Sequence, residues 1–153
     1  MINKEFKEVI KIVSKKMEQN GIKWALIGST NMALQGMDVN PRDIDLVVKL
    51  SDLKKMKSIF SNYRLSEIKE LKPFTGESVW DIKIRINNIE IEILGEKDNG
   101  EYVRKLLANR IVKIRLDEIE IPCFALEAES QTYAETNKKH KADMINNFLE
   151  KSP

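Results

Sequence analysis

The amino-acid sequence predicts an α+β domain in two layers, with a mixed β-sheet, helices packed on one face and a C-terminal helical segment. Three observations support this fold class. The opening stretch has apolar residues at the 3.6-residue period of an amphipathic helix. Two short apolar runs in the first third of the chain are typical of buried strands. Between residues 80 and 121, apolar and polar residues alternate with period 2, which indicates half-buried strands joined in hairpins.

The first helix is predicted to begin after Asn3, whose side chain can cap a helix, and to end at Asn20-Gly21. A buried strand over 24–27 follows it. Ser29 is then expected to cap a short helix over 30–35. The buried stripe of the first helix consists of Phe6, Val9, Ile10, Val13 and Met17.

The next part of the chain is predicted to be a strand followed by a helix. A turn signal at Asn40-Pro41 precedes a strand over 43–49. A helix is expected to start at Ser51, and a polar loop around Pro73 and Gly76 comes after it. The inward residues of that helix are Leu53, Met56, Ile59 and Phe60.

Asn87-Asn88 is predicted to be the two-residue turn of a β-hairpin. This register places Arg85 opposite Glu90 and Lys83 opposite Glu92, as cross-strand ion pairs. Such pairs would explain the alternation of charges on this face without any catalytic role.

A second hairpin is expected over 111–121, with a turn at Asp117-Glu118 and an end at Pro122. A short helix is predicted within 98–110. The chain is expected to form a single domain over 1–153. Its C-terminal helical extension, 126–151, contains one or two helices with a break near Thr136-Asn137.

The composition is typical of a globular protein rather than a disordered one, with 42% hydrophobic and 33% charged residues. The formal net charge of +2 argues against nucleic-acid binding through bulk charge. The single cysteine, Cys123, excludes an internal disulfide and is expected in the core. Because no run approaches the ~20 apolar residues of a membrane span, the sequence predicts a cytoplasmic protein.

Two carboxylates lie inside an apolar run at Asp43-Ile44-Asp45. On a strand they point to the same face, where their oxygens can bind a hard divalent cation. Like charges side by side raise the cost of ionising both, and a metal or a cationic neighbour lowers that cost. The simpler structural alternative is a sheet edge that faces water.

Gly28-Ser29 ends the apolar run of the first strand. Such a turn can place backbone N–H groups and a hydroxyl at a helix N-terminus, which suits a phosphate. The same dipeptide is also a routine turn from strand to helix. A phosphate seat beside a metal-binding carboxylate pair is the minimum required for nucleotidyl transfer.

Gly28-Ser29, Asp43-x-Asp45 and Glu92 in Ile91-Glu92-Ile93 resemble the three signature elements of the DNA polymerase beta-type nucleotidyltransferase superfamily. The stretch 28–48 is most similar to small prokaryotic nucleotidyltransferase-like proteins, in which a "GS…ALQG…DID" segment recurs. The resemblance implies a nucleotidyltransferase fold. It also implies metal-dependent transfer of a nucleoside monophosphate group from a nucleoside triphosphate to a hydroxyl acceptor, with release of pyrophosphate.

The resemblance further implies that Asp43, Asp45 and Glu92 are the catalytic residues and hold Mg²⁺ or Mn²⁺. Glu90 is the alternative third carboxylate. Glu92 is preferred because the following Ile93-Leu94-Gly95 matches the resembled group best.

The residues expected to bind the nucleotide are Gly28, Ser29, Arg42 and Lys141. Arg42 can neutralise a substrate phosphate or pair with Asp38. Lys141 lies with Tyr133 and Lys138 where the resembled group has a tyrosine and basic residues on its C-terminal helix. A solvated charged face is the alternative interpretation of that segment.

A second hypothesis is a protein of the same fold that binds a nucleotide or a partner without catalysis, as an antitoxin does. Val39 and Pro41 occupy the positions where many relatives have a basic and a hydroxyl residue. An ammonium group of Lys83 held against Glu92 would also compete with a metal.

The acceptor is left open by the sequence. A small molecule, a tRNA end and a hydroxyl on a partner protein are all compatible with a chain of 153 residues. No membrane partner is expected, and a homodimer is compatible with the sequence.

Overall fold

A computed structural model of the protein describes residues 2–71, 79–97 and 110–151. Two predicted elements lie outside the described residues. One is the loop around Pro73 and Gly76, and the other is the helix within 98–110, of which only Arg110 is described. The elements are α1 (Lys4–Gln19), β1 (Trp24–Ile27), α2 (Gly28–Leu34), β2 (Ile44–Lys49), α3 (Leu50–Leu53), α4 (Met56–Ile59), β3 (Arg64–Leu65), β4 (Lys69–Leu71), β5 (Val79–Ile86), β6 (Ile89–Glu96), β7 (Ile111–Leu116), β8 (Ile119–Phe124), α5 (Leu126–Glu135) and α6 (Lys139–Lys151).

The strands of the described residues form one mixed sheet in the order β3-β5-β6-β2-β1-β8-β7, and β4 pairs with β5. β2 runs parallel to β6 and β1 runs parallel to β8, whereas the other pairs are antiparallel. The predicted mixed sheet is therefore confirmed. Because β2 lies between β1 and β6, the strand that begins after Asp43 neighbours both the strand before Gly28 and the strand with Glu92.

The first helix forms as its sequence predicts. The Asn3 Oδ1 atom accepts a hydrogen bond of 2.9 Å from the Phe6 N–H and caps α1. Gly21, with φ +64°, follows the end of the helix in the left-handed conformation that glycine adopts without strain.

The helix α2 begins earlier than predicted. It starts at Gly28 rather than at 30, and Ser29 lies inside its first turn instead of capping it. The residue at the cap position is Ile27, whose side chain makes no capping hydrogen bond. A cap from Ser29 is not needed because the Gly28 N–H donates to the carboxylate of Glu129, far along the chain.

Two further predictions of element boundaries were wrong. The helix expected from Ser51 is divided into α3 and α4, since the chain turns at Lys54 and Lys55. The strand β8 continues through Pro122 to Phe124. Pro122 lies opposite Lys113 of β7, and the pairing with β1 is at Cys123 rather than at Pro122.

The side chains of the sheet alternate between two faces. One face, which includes Leu26 and Leu46, packs against α1, α3 and α4 in a large apolar core. On the other face, Ala25 and Val47 pack against Ala128 of α5. The N-terminal helices thus cover one face, as predicted, and the C-terminal helical segment covers part of the other.

The C-terminal segment contains two helices. The predicted break is confirmed at Asn137, which has φ +63° between α5 and α6. The two helices join α2 in a separate apolar cluster that includes Met32, Leu126, Tyr133 and Ile145. None of the helices in the described ranges is long and apolar enough to cross a membrane.

Candidate active site

Asp45 and Glu92 lie side by side in the structure. β2 and β6 are parallel, and their register pairs Asp45 with Glu92. Paired residues on neighbouring strands, which are about 4.8 Å apart, project from the same face of the sheet. Both residues are half-buried, on the face that α5 covers only in part. Their carboxylates therefore adjoin at a surface that a ligand can reach.

Asp43 precedes β2 by one residue and is also half-buried. Its backbone is attached to α2, because the Thr30 hydroxyl donates a hydrogen bond of 2.6 Å to the Asp43 carbonyl oxygen. Because Thr30 is buried, this hydrogen bond is partly shielded from water. The contact holds the start of β2 against the turn that contains Gly28.

Gly28 makes room for the Asp45 carboxylate. Its φ of +73° is in the left-handed region, and a Cβ atom placed on it would lie 2.9 Å from the Asp45 Oδ2 atom. Any larger residue would therefore displace Asp45 or strain the backbone. The glycine of the predicted phosphate-binding turn thus also determines where a predicted catalytic carboxylate lies.

The buried carboxylate of Glu129 holds this turn from the side of α5. Its Oε2 atom accepts hydrogen bonds of 2.6 Å from the Gly28 N–H and 3.1 Å from the Asn31 Nδ2 atom. Glu129 is only 1% exposed. The Gly28 N–H, which was expected at the phosphate, is directed to Glu129 instead. Sequence analysis did not identify Glu129.

We expect Glu129→Ala to destabilise the protein by about 2–5 kcal/mol, because it leaves the buried Gly28 N–H without its acceptor, removes one of the two hydrogen bonds of the Asn31 Nδ2 atom and removes packing. Glu127→Ala, at an exposed position on the same helix, is the matched control and should change stability by less than about 0.5 kcal/mol. Urea unfolding followed by circular dichroism measures both. Similar small losses in the two variants would show that the Glu129 contacts contribute little.

Asp81 is a second residue that sequence analysis did not identify. It is 3% exposed on β5, and its side chain is hydrogen-bonded to Glu92. Burial, this hydrogen bond and the negative charges of Asp45 and Asp81 raise the pKa of Glu92 from 4.5 to about 8, against an opposing influence of Lys83. Glu92 is therefore suited to hold a proton near neutral pH in the metal-free protein.

The raised pKa of Glu92 predicts a pH-dependent stability. A carboxyl whose pKa is higher in the folded than in the unfolded state stabilises the fold below pH 4.5, and this contribution is lost as pH rises to about 8. We expect the melting temperature in EDTA to fall between pH 5 and pH 8, and Glu92→Gln to reduce that fall. Glu90→Gln is the control, and an identical pH dependence of Glu92→Gln and wild type would contradict the prediction.

The predicted hairpin register is confirmed, but the predicted ion pairs are absent. Lys83 is opposite Glu92 and Arg85 is opposite Glu90. Among the described residues, no ion pair within 4.0 Å joins either couple. The Arg85 Nη1 atom donates to the carbonyl of Asn88 at 3.2 Å instead. Register alone does not bring flexible, exposed basic side chains onto their partners, since such ion pairs contribute little.

Glu90 and Glu92 share a face of β6, but only Glu92 is in register with Asp45. Glu90 lies opposite Arg85 at the beginning of β6, whereas Glu92 is the residue in register with Asp45. The geometry therefore favours Glu92 over Glu90 as the third carboxylate.

The two predicted basic residues, Arg42 and Lys141, have different surroundings. Arg42 is exposed next to Asp43, and no ion pair joins it to Asp38 within the part of the chain that the structure describes. The Lys141 Nζ atom lies 5.3 Å from the centre of the Tyr133 ring, a cation–π contact between α5 and α6. This contact gives the position of Lys141 a structural explanation that does not involve a nucleotide.

The donor chemistry of the carboxylates fits a divalent cation. Carboxylate oxygens are the ligands that Mg²⁺ and Mn²⁺ prefer, and the charge of Asp45 acts on Glu92 across a short distance. Over residues 2–71, 79–97 and 110–151, no three His, Cys, Asp or Glu side chains are arranged as a complete metal site. The protein thus supplies two adjoining carboxylates with Asp43 close to them in the chain, rather than a complete set of ligands.

Three solved structures resemble the protein over almost its whole length. TM1012 from Thermotoga maritima, a proposed nucleotidyltransferase, is 22% identical, with a TM-score of 0.72 over 99% of this chain and 97% of that one. The antibiotic-resistance factor ANT(2'')-Ia is 13% identical, with a TM-score of 0.66 over 97% and 86%. The lincosamide antibiotic adenylyltransferase LnuA, with lincomycin bound, is 14% identical, with a TM-score of 0.61 over 92% and 95%. These similarities confirm the nucleotidyltransferase fold.

The sequence also matches a family profile. No curated protein matches the chain significantly. The profile of the aminoglycoside-2''-adenylyltransferase family matches residues 9–146, which include all the predicted site residues. The chain therefore belongs to the aminoglycoside-2''-adenylyltransferase family, a family of nucleotidyltransferases.

Proposed function

We propose that the protein transfers a nucleoside monophosphate group from a nucleoside triphosphate to a hydroxyl acceptor and releases pyrophosphate. The observation that carries the proposal is the juxtaposition of Asp45 and Glu92 on parallel strands, directly beside Gly28. Membership in an adenylyltransferase family supports the same class of reaction.

Asp43, Asp45 and Glu92 would hold Mg²⁺ or Mn²⁺. A divalent cation at this place neutralises negative charge on the reacting phosphate and on the leaving pyrophosphate. The space beside Gly28 lets Asp45 lie at the centre of the set, and the bond from Thr30 fixes the start of its strand.

In the proposed reaction, the acceptor oxygen forms a bond to the α-phosphorus. The bond from that phosphorus to the oxygen bridging to the β-phosphate breaks, and pyrophosphate departs with the electron pair. The acceptor proton passes to the ionised carboxylate of Glu92, whose negative charge a bound cation would stabilise, so that Glu92 acts as a general base. Asp81 holds the Glu92 side chain in place through their hydrogen bond.

The donor phosphates are proposed to lie at the turn formed by Gly28 and Ser29. Since the Gly28 N–H is already donated to Glu129, the Ser29 hydroxyl is the proposed contact at this turn. Arg42 is exposed beside Asp43 and would add positive charge near the phosphates. Lys141 would have to leave the ring of Tyr133 to reach a nucleotide.

A small molecule is the first acceptor to consider. LnuA has lincomycin bound, and ANT(2'')-Ia has been determined in complex with adenylyl-2''-tobramycin. A tRNA end and a partner protein stay alternative predictions for the acceptor. The cytoplasmic location and the homodimer also stay predictions. The non-catalytic hypothesis loses one of its arguments, since Asp81 rather than Lys83 is the side-chain partner of Glu92.

The direct test is calorimetric titration of a nucleoside triphosphate with Mg²⁺ into wild type and into the Asp43→Asn/Asp45→Asn variant. We expect metal-dependent binding to wild type and none to the variant, because amide oxygens lack the charge that attracts the cation. Asp117→Asn, at the exposed turn between β7 and β8, controls for a general change in net charge. Equal binding by wild type and the double variant would remove the metal-site assignment.

A further inference from the structure

A cluster of basic side chains lies on the same face of the sheet as Glu92, further towards the edge formed by β3. Lys83 on β5 is in register with Glu92, and Arg64 on β3 is directly opposite Arg85 on β5. Lys83 and Arg85 are two residues apart on one strand and therefore share a face, and so does Arg64 through its pairing. We call these three residues the basic cluster.

The basic cluster lines a groove of about 210 Å³. Ser66 and Glu90 also line it, and the three basic side chains are exposed. With three cationic groups and one carboxylate, the groove is positively charged. It adjoins the candidate active site, because Lys83 is the direct neighbour of Glu92.

Within the described residues, no ion pair shorter than 4.0 Å compensates the charges of the basic cluster. No ion pair of the described residues involves Arg64, Lys83 or Arg85. Arg64 and Arg85 occupy directly opposite positions on neighbouring strands, where like charges are unfavourable in the unliganded sheet. An anion that binds between them removes this repulsion, and guanidinium groups bind phosphate through paired hydrogen bonds.

The groove lies on the side of the carboxylates that faces away from the proposed donor site. Gly28 follows β1, on one side of Asp45, whereas β5 and β3 lie beyond Glu92 on the other side. In an in-line transfer, the acceptor oxygen enters opposite the leaving pyrophosphate. With the triphosphate at Ser29, the acceptor approaches from the side of the basic cluster.

We propose that the acceptor carries a phosphate group, which the basic cluster binds while the acceptor hydroxyl lies at Glu92. The inference rests on the proposed function, since it assigns the acceptor side of the same site. One to two strand spacings place the phosphate roughly 5–10 Å from the hydroxyl. Aminoglycosides, which carry several ammonium groups, are repelled by the same cluster.

The test compares three probes by calorimetry, in the presence of Mg²⁺ and a saturating non-hydrolysable triphosphate analogue. Ribose 5-phosphate and a short oligoribonucleotide with a free 3′ hydroxyl carry phosphate, and tobramycin is a polycation. We expect a phosphate probe to bind more tightly than tobramycin and to lose about tenfold or more in affinity in Arg64→Gln/Arg85→Gln. Tighter binding of ribose 5-phosphate indicates a small phosphorylated molecule as the acceptor, and tighter binding of the oligoribonucleotide indicates an RNA end. Arg115→Gln, an exposed position on β7 at the other edge of the sheet, should bind as wild type does.

Three results would overturn the inference: tighter binding of tobramycin, no binding of either phosphate probe at millimolar concentration, or equal binding by wild type and the double arginine variant. Binding of the triphosphate analogue with Mg²⁺ is measured first in each protein. If wild type does not bind the analogue, the proposed function fails. If the analogue binds and the phosphate probes do not, only the acceptor assignment fails.

Discussion

Replacing Asp45 with asparagine is expected to reduce nucleotidyl transfer by at least about a thousandfold. The Asp45 carboxylate lies between Gly28 and Glu92, where its charge would contribute to holding the proposed cation at the reacting phosphates. Charge stabilisation of several kcal/mol is lost with it, and each 1.4 kcal/mol corresponds to about tenfold in rate. The measurement incubates α-labelled nucleoside triphosphates with a fractionated cell extract and counts label entering RNA, protein and small molecules.

The fold of Asp45→Asn should be retained, because the substitution removes the repulsion between two adjoining carboxylates. We expect its melting temperature to equal or exceed that of wild type. Asp117→Asn, far from the site on the turn after β7, should keep full activity. A folded Asp45→Asn protein that transfers label at the wild-type rate would show that the catalytic set is wrongly assigned.

Gly28→Ala is expected to reduce transfer by about a hundredfold or more and to destabilise the protein. The added Cβ atom would lie 2.9 Å from the Asp45 Oδ2 atom, so the carboxylate must move. A displacement of about 1 Å at a reacting site can reduce the rate by about 10²-fold. The φ of +73° adds a backbone strain of about 1–2 kcal/mol for an alanine.

Gly21→Ala separates these two effects. Gly21 has φ +64°, but no atom lies within 4 Å of a Cβ placed on it. We expect this variant to lose a similar amount of stability through backbone strain and to keep its activity. The comparison of urea unfolding with initial rates measures both quantities. Equal activity losses in the two variants would show that the effect at Gly28 comes from general destabilisation rather than from the displacement of Asp45.

The parts of the fold that depend on local signals could be predicted from the sequence. The cap at Asn3, the turn at Asn87-Asn88 and the break at Asn137 involve residues near each other in the chain, and the structure contains all three. The start of α2 was mispredicted because its first N–H is satisfied by Glu129, which lies 101 residues away. Neither β3 nor β4 was predicted, since each is a short strand defined mainly by its pairing with β5.

The residues of the candidate site that belong to short sequence motifs could be predicted. Asp45 was identified from the pair of acids on an apolar strand and Glu92 from the family resemblance, and the register of β2 with β6 places the two residues together. Asp81 was missed because it reads as one more polar residue of an alternating strand. The hairpin register could have identified it, since a residue two positions before Lys83 lies diagonally across from Glu92. No local signal marks Glu129 as a partner of the turn at Gly28.

The most direct test of a divalent-cation site at Asp45 and Glu92 is a crystal structure with Mn²⁺ and a non-hydrolysable nucleoside triphosphate. A cation site at this place predicts an anomalous difference peak within about 2.2 Å of carboxylate oxygens of Asp45 and at least one of Asp43 and Glu92. It also predicts that the triphosphate contacts the same ion. A bound triphosphate with no Mn²⁺ at these carboxylates, or Mn²⁺ bound only elsewhere in the molecule, would contradict it.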